Sequence, residues 1–228
     1  MNVLLLGSGG REHAMAWKLS QSSLLSKLYV APGNAGTEQI ATNVSVNPMD
    51  FSAVDRYIRR NSINMLIVGP EAPLVAGIVD YFEESNKHKD LVVIGPPKAG
   101  ALLEGSKDFA KAFMARHNIP TADYQTFKSG ELKQAKAYLD KRKPPYVIKA
   151  DGLAAGKGVI ITEDRQEAES TLEDMLENSS LGEAGAKVVI EQFMDGIEVS
   201  SFVVTDGTAY KILPSAKDYK RAYDGDTG

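Results

Sequence analysis

The sequence predicts an α/β protein in two parts. Residues 1–102 read as a doubly wound parallel sheet and residues 103–228 as an antiparallel α+β region. Three observations carry this. In the first part, short fully apolar runs alternate with amphipathic stretches, as in a sheet covered by helices on both faces. Each of those runs ends in glycine or proline, where the chain must turn sharply. In the second part, strand-like runs follow one another across short turns, and one pair is joined at Asp206-Gly207, a hairpin signal.

The elements follow in order. Residues 3–6 form an apolar run, then glycines, then a helix over 11–20. Residues 28–30 are a second strand, followed by the turn Ala31-Pro32-Gly33-Asn34-Ala35-Gly36. Asp50 caps a helix whose Phe51, Val54, Tyr57 and Ile58 share one face. Met65–Val68 is a strand, residues 74–84 a helix and residues 91–94 a strand. The charge-rich stretch 83–90 reads as a solvated helix end. Ligands of such sheets sit at the carboxyl ends of the strands. Those ends carry 7–11, 32–36, 69–73 and 95–97. In the second part Ser106 caps a helix over 107–117, which Asn118-Ile119-Pro120 ends. Leu132–Leu139 is a helix, Tyr146–Ala150 and 158–161 are strands around a glycine-rich loop, and 164–177 is an amphipathic helix. Residues 188–191, 199–205 and 209–213 are strands.

Composition narrows the function. A net charge of -4 gives the chain no pull toward nucleic acid or an acidic membrane surface. Without cysteine there are no disulfides, cysteine nucleophiles or thiolate metal sites, which fits a cytoplasmic protein. The first apolar run is too short and lacks the basic flank of a signal peptide. No run approaches the roughly 18 apolar residues of a membrane span.

The loop Gly7-Ser8-Gly9-Gly10-Arg11 joins a strand to a helix, where backbone N–H groups and the helix dipole favour an anion. A dinucleotide fingerprint fails here. Glu12 stands where the third glycine belongs, and the second strand ends in Val30-Ala31-Pro32, with no acid for a ribose. What remains is either a smaller phosphate or sugar site, with Arg11 as a clamp, or a tight turn without a ligand. Trp17 reads as core, and His13 as packing.

The stretch Lys149-Ala150-Asp151-Gly152-Leu153-Ala154-Ala155-Gly156-Lys157-Gly158 looks like a Walker A loop and is not one. Three residues separate Gly152 from Gly156, Gly158 replaces the magnesium-binding Ser or Thr, and a strand follows instead of a helix. It reads as a mobile hairpin loop with a lysine at each end, suited to closing over phosphates and excluding water. The bland alternative is an exposed hairpin.

The chain resembles the phosphoribosylamine–glycine ligases, a branch of the ATP-grasp group, from end to end. The resemblance rests on Leu6-Gly7-Ser8-Gly9-Gly10-Arg11-Glu12-His13-Ala14, Ala31-Pro32-Gly33-Asn34-Ala35-Gly36-Thr37, Val68-Gly69-Pro70-Glu71-Ala72-Pro73-Leu74 and Leu103-Glu104-Gly105-Ser106-Lys107. It continues through 149–159, Glu191-Gln192-Phe193-Met194-Asp195-Gly196, Asp218-Tyr219-Lys220-Arg221 and Asp224-Gly225-Asp226-Thr227-Gly228. Tyr219 departs from the histidine usual in its motif, while the flanking charges are kept.

The resemblance implies an α/β substrate domain over 1–102, then an ATP-grasp domain over 103–228, incomplete at its C-terminus, with a mobile lid at about 121–190. The implied reaction joins glycine to 5-phosphoribosylamine with ATP through an acyl phosphate, in purine biosynthesis. Lys107 and Lys149 would contact ATP phosphates, with Gly152, Gly156, Lys157 and Gly158 closing over them. Glu191, Gln192 and Phe193 would run along the adenine, and Glu198 would take the ribose hydroxyls. Gly9, Gly10, Arg11, Pro70 and Glu71, with Asp226, Thr227 and Gly228, would hold substrate. Asp218, Lys220 and Arg221 would serve catalysis between the two sites. Mg2+ or Mn2+ would be bound by residues beyond Gly228, so no metal ligand is assigned within the sequence, and the 228 residues alone are expected to be inactive.

Two other readings compete. Another ATP-grasp enzyme, such as a biotin carboxylase-like or aminoimidazole ribonucleotide carboxylating enzyme, would need bicarbonate instead of glycine; the motifs at 32–37 and 224–228 speak against it. A nucleotide-binding module without chemistry would not turn over glycine at any length.

Overall fold

The structure, a computed structural model, describes residues 1–84, 88–154, 158–178 and 186–217. The chain divides into two compact units, Met1–Gln192 and Phe193–Gly228.

The first unit begins with β1 (Asn2–Gly7), α1 (Gly10–Ser20), β2 (Lys27–Pro32), a short 3-10 turn (Thr37–Gln39) and β3 (Thr42–Asn43). Then come α2 (Phe51–Arg60), β4 (Met65–Val68), α3 (Glu71–Ala76), α4 (Ile78–Glu83), β5 (Val92–Ile94) and α5 (Lys98–Gly105). The strands form one parallel sheet in the order β3-β2-β1-β4-β5. Alternate residues of β1 serve two cores, which is why its sequence is apolar without a period of two. Val3 and Leu5 pack with Ala16, Leu28 and Val30; Leu4 and Leu6 pack with Val54, Ile58, Ile78 and Phe82. From β1 the chain proceeds to β2 on one side, and β4 lies on the other, so the direction of winding reverses between β1 and β4. A crevice at the carboxyl ends of the strands opens at such a reversal.

Two expectations are corrected here. The helix expected over 74–84 is two helices, broken where Gly77 takes φ +94, a conformation other residues resist. Trp17 is not core: it is 57% exposed. The covered stripe of α1 runs through Met15, Ala16 and Leu19, and Trp17 follows Ala16 by one residue, a rotation of about 100° that turns it outward.

The rest of the first unit contains α6 (Lys107–Arg116), β6 (Tyr124–Lys128), α7 (Leu132–Leu139), β7 (Tyr146–Ala150), β8 (Val159–Thr162), α8 (Arg165–Leu176) and β9 (Lys187–Glu191). Its sheet is antiparallel throughout, in the order β6-β9-β7-β8. The predicted caps are in place: Asp50 and Ser106 side chains accept from the N–H groups of Ala53 and Phe109. Asp164 does the same for Gln166, so that α8 starts one residue after the expected 164. One face of the sheet, with Tyr146, Ile148, Ala150, Val188 and Ile190, is buried under Leu139 of α7 and Ala168, Leu172 and Leu176 of α8. Register sets the opposite face. Val147 stands across from Glu191 and Lys149 across from Val189. Lys149 and Glu191 therefore project from the side away from α7 and α8.

In the second unit, β10 (Val199–Ser200) pairs antiparallel with β13 (Ala216–Lys217), and β11 (Val203–Thr205) with β12 (Tyr210–Ile212). The single strand expected over 199–205 is thus split between two ladders. The predicted hairpin is present: Asp206 Oδ1 accepts from the N–H groups of Thr208 and Ala209, and Gly207 has φ +88. No helix among the described residues is long and apolar enough to cross a membrane.

Candidate functional site

Two constellations stand out in the first unit. The first lies where the loops after β1, β2 and β4 meet. Glu12 organises it. Only 5% exposed, Glu12 accepts a 2.7 Å hydrogen bond from Gly9 N–H and so caps its own helix. A Cβ on Gly7 would stand 2.5 Å from the Glu12 side chain, and one on Gly69 2.3 Å from it, so both glycines make room for this carboxylate. From the second loop, Asn34 Nδ2 donates to Ser8 O at 2.9 Å and Gly9 O at 3.3 Å. Asn34 is fixed in turn by Gly36 and Thr37 N–H groups on its Oδ1.

Arg11 leans the other way, donating to Gly69 O at 3.1 Å and Glu71 Oε1 at 2.8 Å. The hydrogen bond that Arg11 donates to Glu71 raises the Arg11 pKa against the effect of burial. Burial opposes ionisation of Glu71, but its own backbone N–H and Arg11 outweigh that and hold its carboxyl below the usual range. Gly10 has open space where a Cβ would stand. The structure thus brings Gly9, Gly10, Arg11, Pro70 and Glu71 to one place, with Pro70 immediately before α3. Because Glu12 already supplies a negative group to the α1 N-terminus, positive charge for an incoming anion comes from the guanidinium.

The second constellation lies on the far face of the antiparallel sheet and at the start of α6. Lys149 Nζ is 3.0 Å from Glu191 Oε2, and Lys111 Nζ is 3.3 Å from the same oxygen. Asp151, at the end of β7, reaches the α6 N-terminus. Its Oδ1 accepts from Asp108 N–H at 2.7 Å, and its carboxylate takes the Ser106 hydroxyl at 3.1 Å. Asp151 is also held by its backbone, donating to Lys187 O at 3.0 Å and accepting from Lys107 N–H at 3.2 Å. The glycine-rich loop is therefore anchored firmly at its first residue. Lys107 Nζ lies 3.4 Å from both Asp151 O and Gly152 O. Burial lowers the Lys107 pKa; Asp151 opposes this and the charge of Lys149 adds to it. Asp108 is held below the usual aspartate range, first by the hydrogen bond from Lys187. Gly158 closes the loop: its carbonyl accepts from Ala150 N–H at 2.7 Å, and its missing Cβ avoids Ala154 and Ala150.

Lys107, Lys149, Gly152, Gly158 and Glu191 thus share one region. Gln192 follows β9 and donates its N–H to Asp123 O at 2.8 Å. Phe193 and Glu198 belong to the second unit. Gly156, Lys157, Asp218, Tyr219, Lys220, Arg221, Asp226, Thr227 and Gly228 lie outside the described residues. Three functional positions escaped sequence reasoning: Glu12, Lys111 and the capping role of Asp151. The Gly9-to-Glu12 spacing is that of a capping box and was the available signal for the first. Lys111 stands four residues after Lys107, on the same helix face, a weak signal for the second.

The comparisons decide the family. A family model described as phosphoribosylglycinamide synthetase, N domain, matches residues 1–104, and one described as phosphoribosylglycinamide synthetase, ATP-grasp (A) domain, matches residues 105–228. The chain belongs to the phosphoribosylglycinamide synthetase family. Within that family it is 51% identical over 230 residues to a phosphoribosylamine–glycine ligase of Haemophilus influenzae and 50% identical over 228 residues to one of Ralstonia nicotianae. These alignments take in 100% of this chain and 52% and 53% of the relatives, so the chain spans about half their length. The solved phosphoribosylamine–glycine ligase of Thermotoga maritima superposes with a TM-score of 0.80 at 32% identity, over 100% of this chain and 53% of that one. An N5-carboxyaminoimidazole synthase of Aspergillus clavatus, solved with ADP and an aminoimidazole ribonucleotide, shares the fold at a TM-score of 0.66 and 14% identity, over 95% of this chain and 53% of that one. The family members are thus ATP-grasp enzymes in fold, as the sequence motifs imply.

Proposed function

We propose that the chain carries part of an enzyme that ligates glycine to 5-phosphoribosylamine, giving glycinamide ribonucleotide, ADP and phosphate. The observation that carries the reading is the placement of Lys107 and Lys149 at the two ends of one region, Lys107 against the carbonyls of Asp151 and Gly152 and Lys149 held at 3.0 Å by Glu191 on the same sheet. ATP fits that place: its phosphates would satisfy both ammonium groups, and the phosphoryl group it donates would turn the glycine carboxylate into an acyl phosphate. Attack of the substrate amine on the carbonyl carbon then forms the amide bond and expels phosphate. Lys107 and Lys149 hold phosphates and oppose the negative charge that develops on transfer. Gly152, Gly156, Lys157 and Gly158 complete the phosphate contacts. Glu191, Gln192 and Phe193 follow the adenine, and Glu198 serves the ribose. Arg11, with Gly9, Gly10, Pro70 and Glu71, takes the phosphoribosyl group, assisted by Asp226, Thr227 and Gly228. Asp218, Lys220 and Arg221 act on the reacting groups. The Arg11–Glu71 pair supports this share of the work: Glu71 aims the guanidinium without burying it, since the Arg11 side chain stays 63% exposed.

Magnesium or manganese belongs to the same proposal. Among the described residues no group of three or more His, Cys, Asp or Glu side chains is placed to hold a metal ion, so no step is routed through one. The domain division at 102 and 103, with a lid at about 121–190, and a cytoplasmic setting are likewise part of the reading.

The test is ADP release by the chain extended to the length of its relatives, with and without each co-substrate. Release that requires both glycine and 5-phosphoribosylamine is expected. Release that requires bicarbonate and ignores glycine would transfer the protein to the carboxylating branch.

A further inference from the structure

We propose that Lys111 is a positioning residue of the nucleotide site: it supplies the counter-charge that lets Glu191 hold Lys149 in place without consuming the charge of Lys149. The inference rests on the assignment of Lys149 to ATP phosphates.

Two ammonium groups share one carboxylate oxygen. Glu191 Oε2 is 3.0 Å from Lys149 Nζ and 3.3 Å from Lys111 Nζ. The two lysines are not equivalent. The Lys111 side chain is 9% exposed and that of Glu191 6%, whereas Lys149 keeps 27%. Lys111 also donates to Thr121 Oγ1 at 2.8 Å and to Ala122 O at 3.1 Å. The ion pair with Glu191 adds a third protein partner. The ring of Tyr124 lies 5.4 Å from its Nζ, closing another side. Lys111 is thus committed to protein partners in a buried position. Lys149 ends on the exposed side of the same carboxylate.

The charge count explains the arrangement. A carboxylate buried this deeply needs a cation, because leaving it unpaired is strongly unfavourable. If Lys149 were the sole cation, an incoming phosphate would meet a neutral pair. Recruiting Lys149 would then strand Glu191. With Lys111 present, the dry pair is Lys111–Glu191 and the excess positive charge stays at Lys149. Glu191 can then orient Lys149 by one hydrogen bond while the phosphate takes the others.

Calorimetric Kd values for ATP and for adenosine on the 228-residue chain separate this role from ordinary packing. Lys111→Met is expected to weaken ATP by about tenfold or more and to leave adenosine within about twofold. Adding Glu191→Gln to Lys111→Met should restore most of the loss, since a neutral amide has no claim on Lys149. Equal weakening of ATP and adenosine, or failure of the double variant to recover, would mean that Lys111 is merely structural. Should Lys111→Met not fold, Lys111→Gln carries the test, since it keeps a donor for Thr121 and Ala122 without the charge. It is expected to weaken ATP by about tenfold and leave adenosine within about twofold, and ATP affinity within about twofold of the parent overturns the proposal. Lys149→Ala is the control on the underlying reading. Unchanged ATP affinity there removes the nucleotide-site assignment and the proposal with it. A loss in Lys149→Ala with no change in Lys111→Met removes the proposal alone.

Discussion

The two glycine-rich loops of the first unit look alike in sequence, and each neighbours a helix N-terminus that already has its anion. For α1 the anion is Glu12, from the helix's own first turn. For α6 it is Asp151, delivered from the end of β7 more than forty residues later in the chain. Each carboxylate takes up an N–H group at the start of its helix. In both places the surplus positive charge sits on side chains, Arg11 beside the first loop and Lys107 and Lys149 beside the second. The difference lies in how each carboxylate is held. Glu12 fills space between Gly7 and Gly69 and cannot leave without opening a void. Asp151 is held by hydrogen bonds alone, and its main chain is as well tied as its side chain.

The strongest way to break this comparison is to crowd the first loop. Gly7→Ala places a methyl 2.5 Å from the Glu12 side chain at φ +124. We expect a loss of about 2–4 kcal/mol in urea unfolding. Gly10→Ala, into open space at the start of α1, should stay within about 0.5 kcal/mol of the parent. Equal effects of the two would show that Glu12 does not fill the loop.

A smaller effect is expected at the second loop. Asp151→Ala removes the acceptor of Asp108 N–H and should cost about 1 kcal/mol, the usual value of a lost cap. Asp151→Asn should recover part of it, because an amide oxygen can still accept. A loss as large as that of Gly7→Ala would mean that the second loop is packed as tightly as the first.

The smallest effect concerns pH. Lys187 and Thr126 hydrogen bonds keep the Asp108 carboxyl below its usual range in the folded protein. Between the folded and unfolded values the unfolded chain binds more protons, so stability rises with pH there. The contribution is complete above the ordinary aspartate pKa and is lost as pH falls through the depressed one. Asp108→Asn should flatten the acid limb of stability against pH. An unchanged limb would place the depression elsewhere, with Glu71 the next carboxylate to replace.

What the sequence made legible follows burial. Runs buried between helices, such as β1 and β4, announce themselves because no polar residue is tolerated in them. Caps were legible because Asp50 and Ser106 act on neighbours three residues away. The strand β6, Tyr-Gln-Thr-Phe-Lys, was not: it is an edge strand that buries Phe127 alone, so its pattern is mostly polar. The break at Gly77 and the split of 199–205 are settled by backbone geometry and pairing partners that no local pattern encodes. In the candidate site, Lys149 drew attention through its glycine-rich loop and Lys107 through the family resemblance alone. Lys111 was not, because a lysine in a helix reads as solvent-facing until a buried carboxylate across the fold claims it.

The position of Glu12 has one more consequence. Gly7, Gly9 and residue 12 have the spacing of the dinucleotide-binding fingerprint, and a glycine at position 12 would complete it. The second strand, ending in Val30-Ala31-Pro32 without an acid, is the other departure from that signature. A reader scanning for motifs meets two-thirds of a coenzyme site, while the folded chain presents a carboxylate in the gap. That single side chain occupies the space beside Gly7 and Gly69, where the fingerprint would keep a glycine.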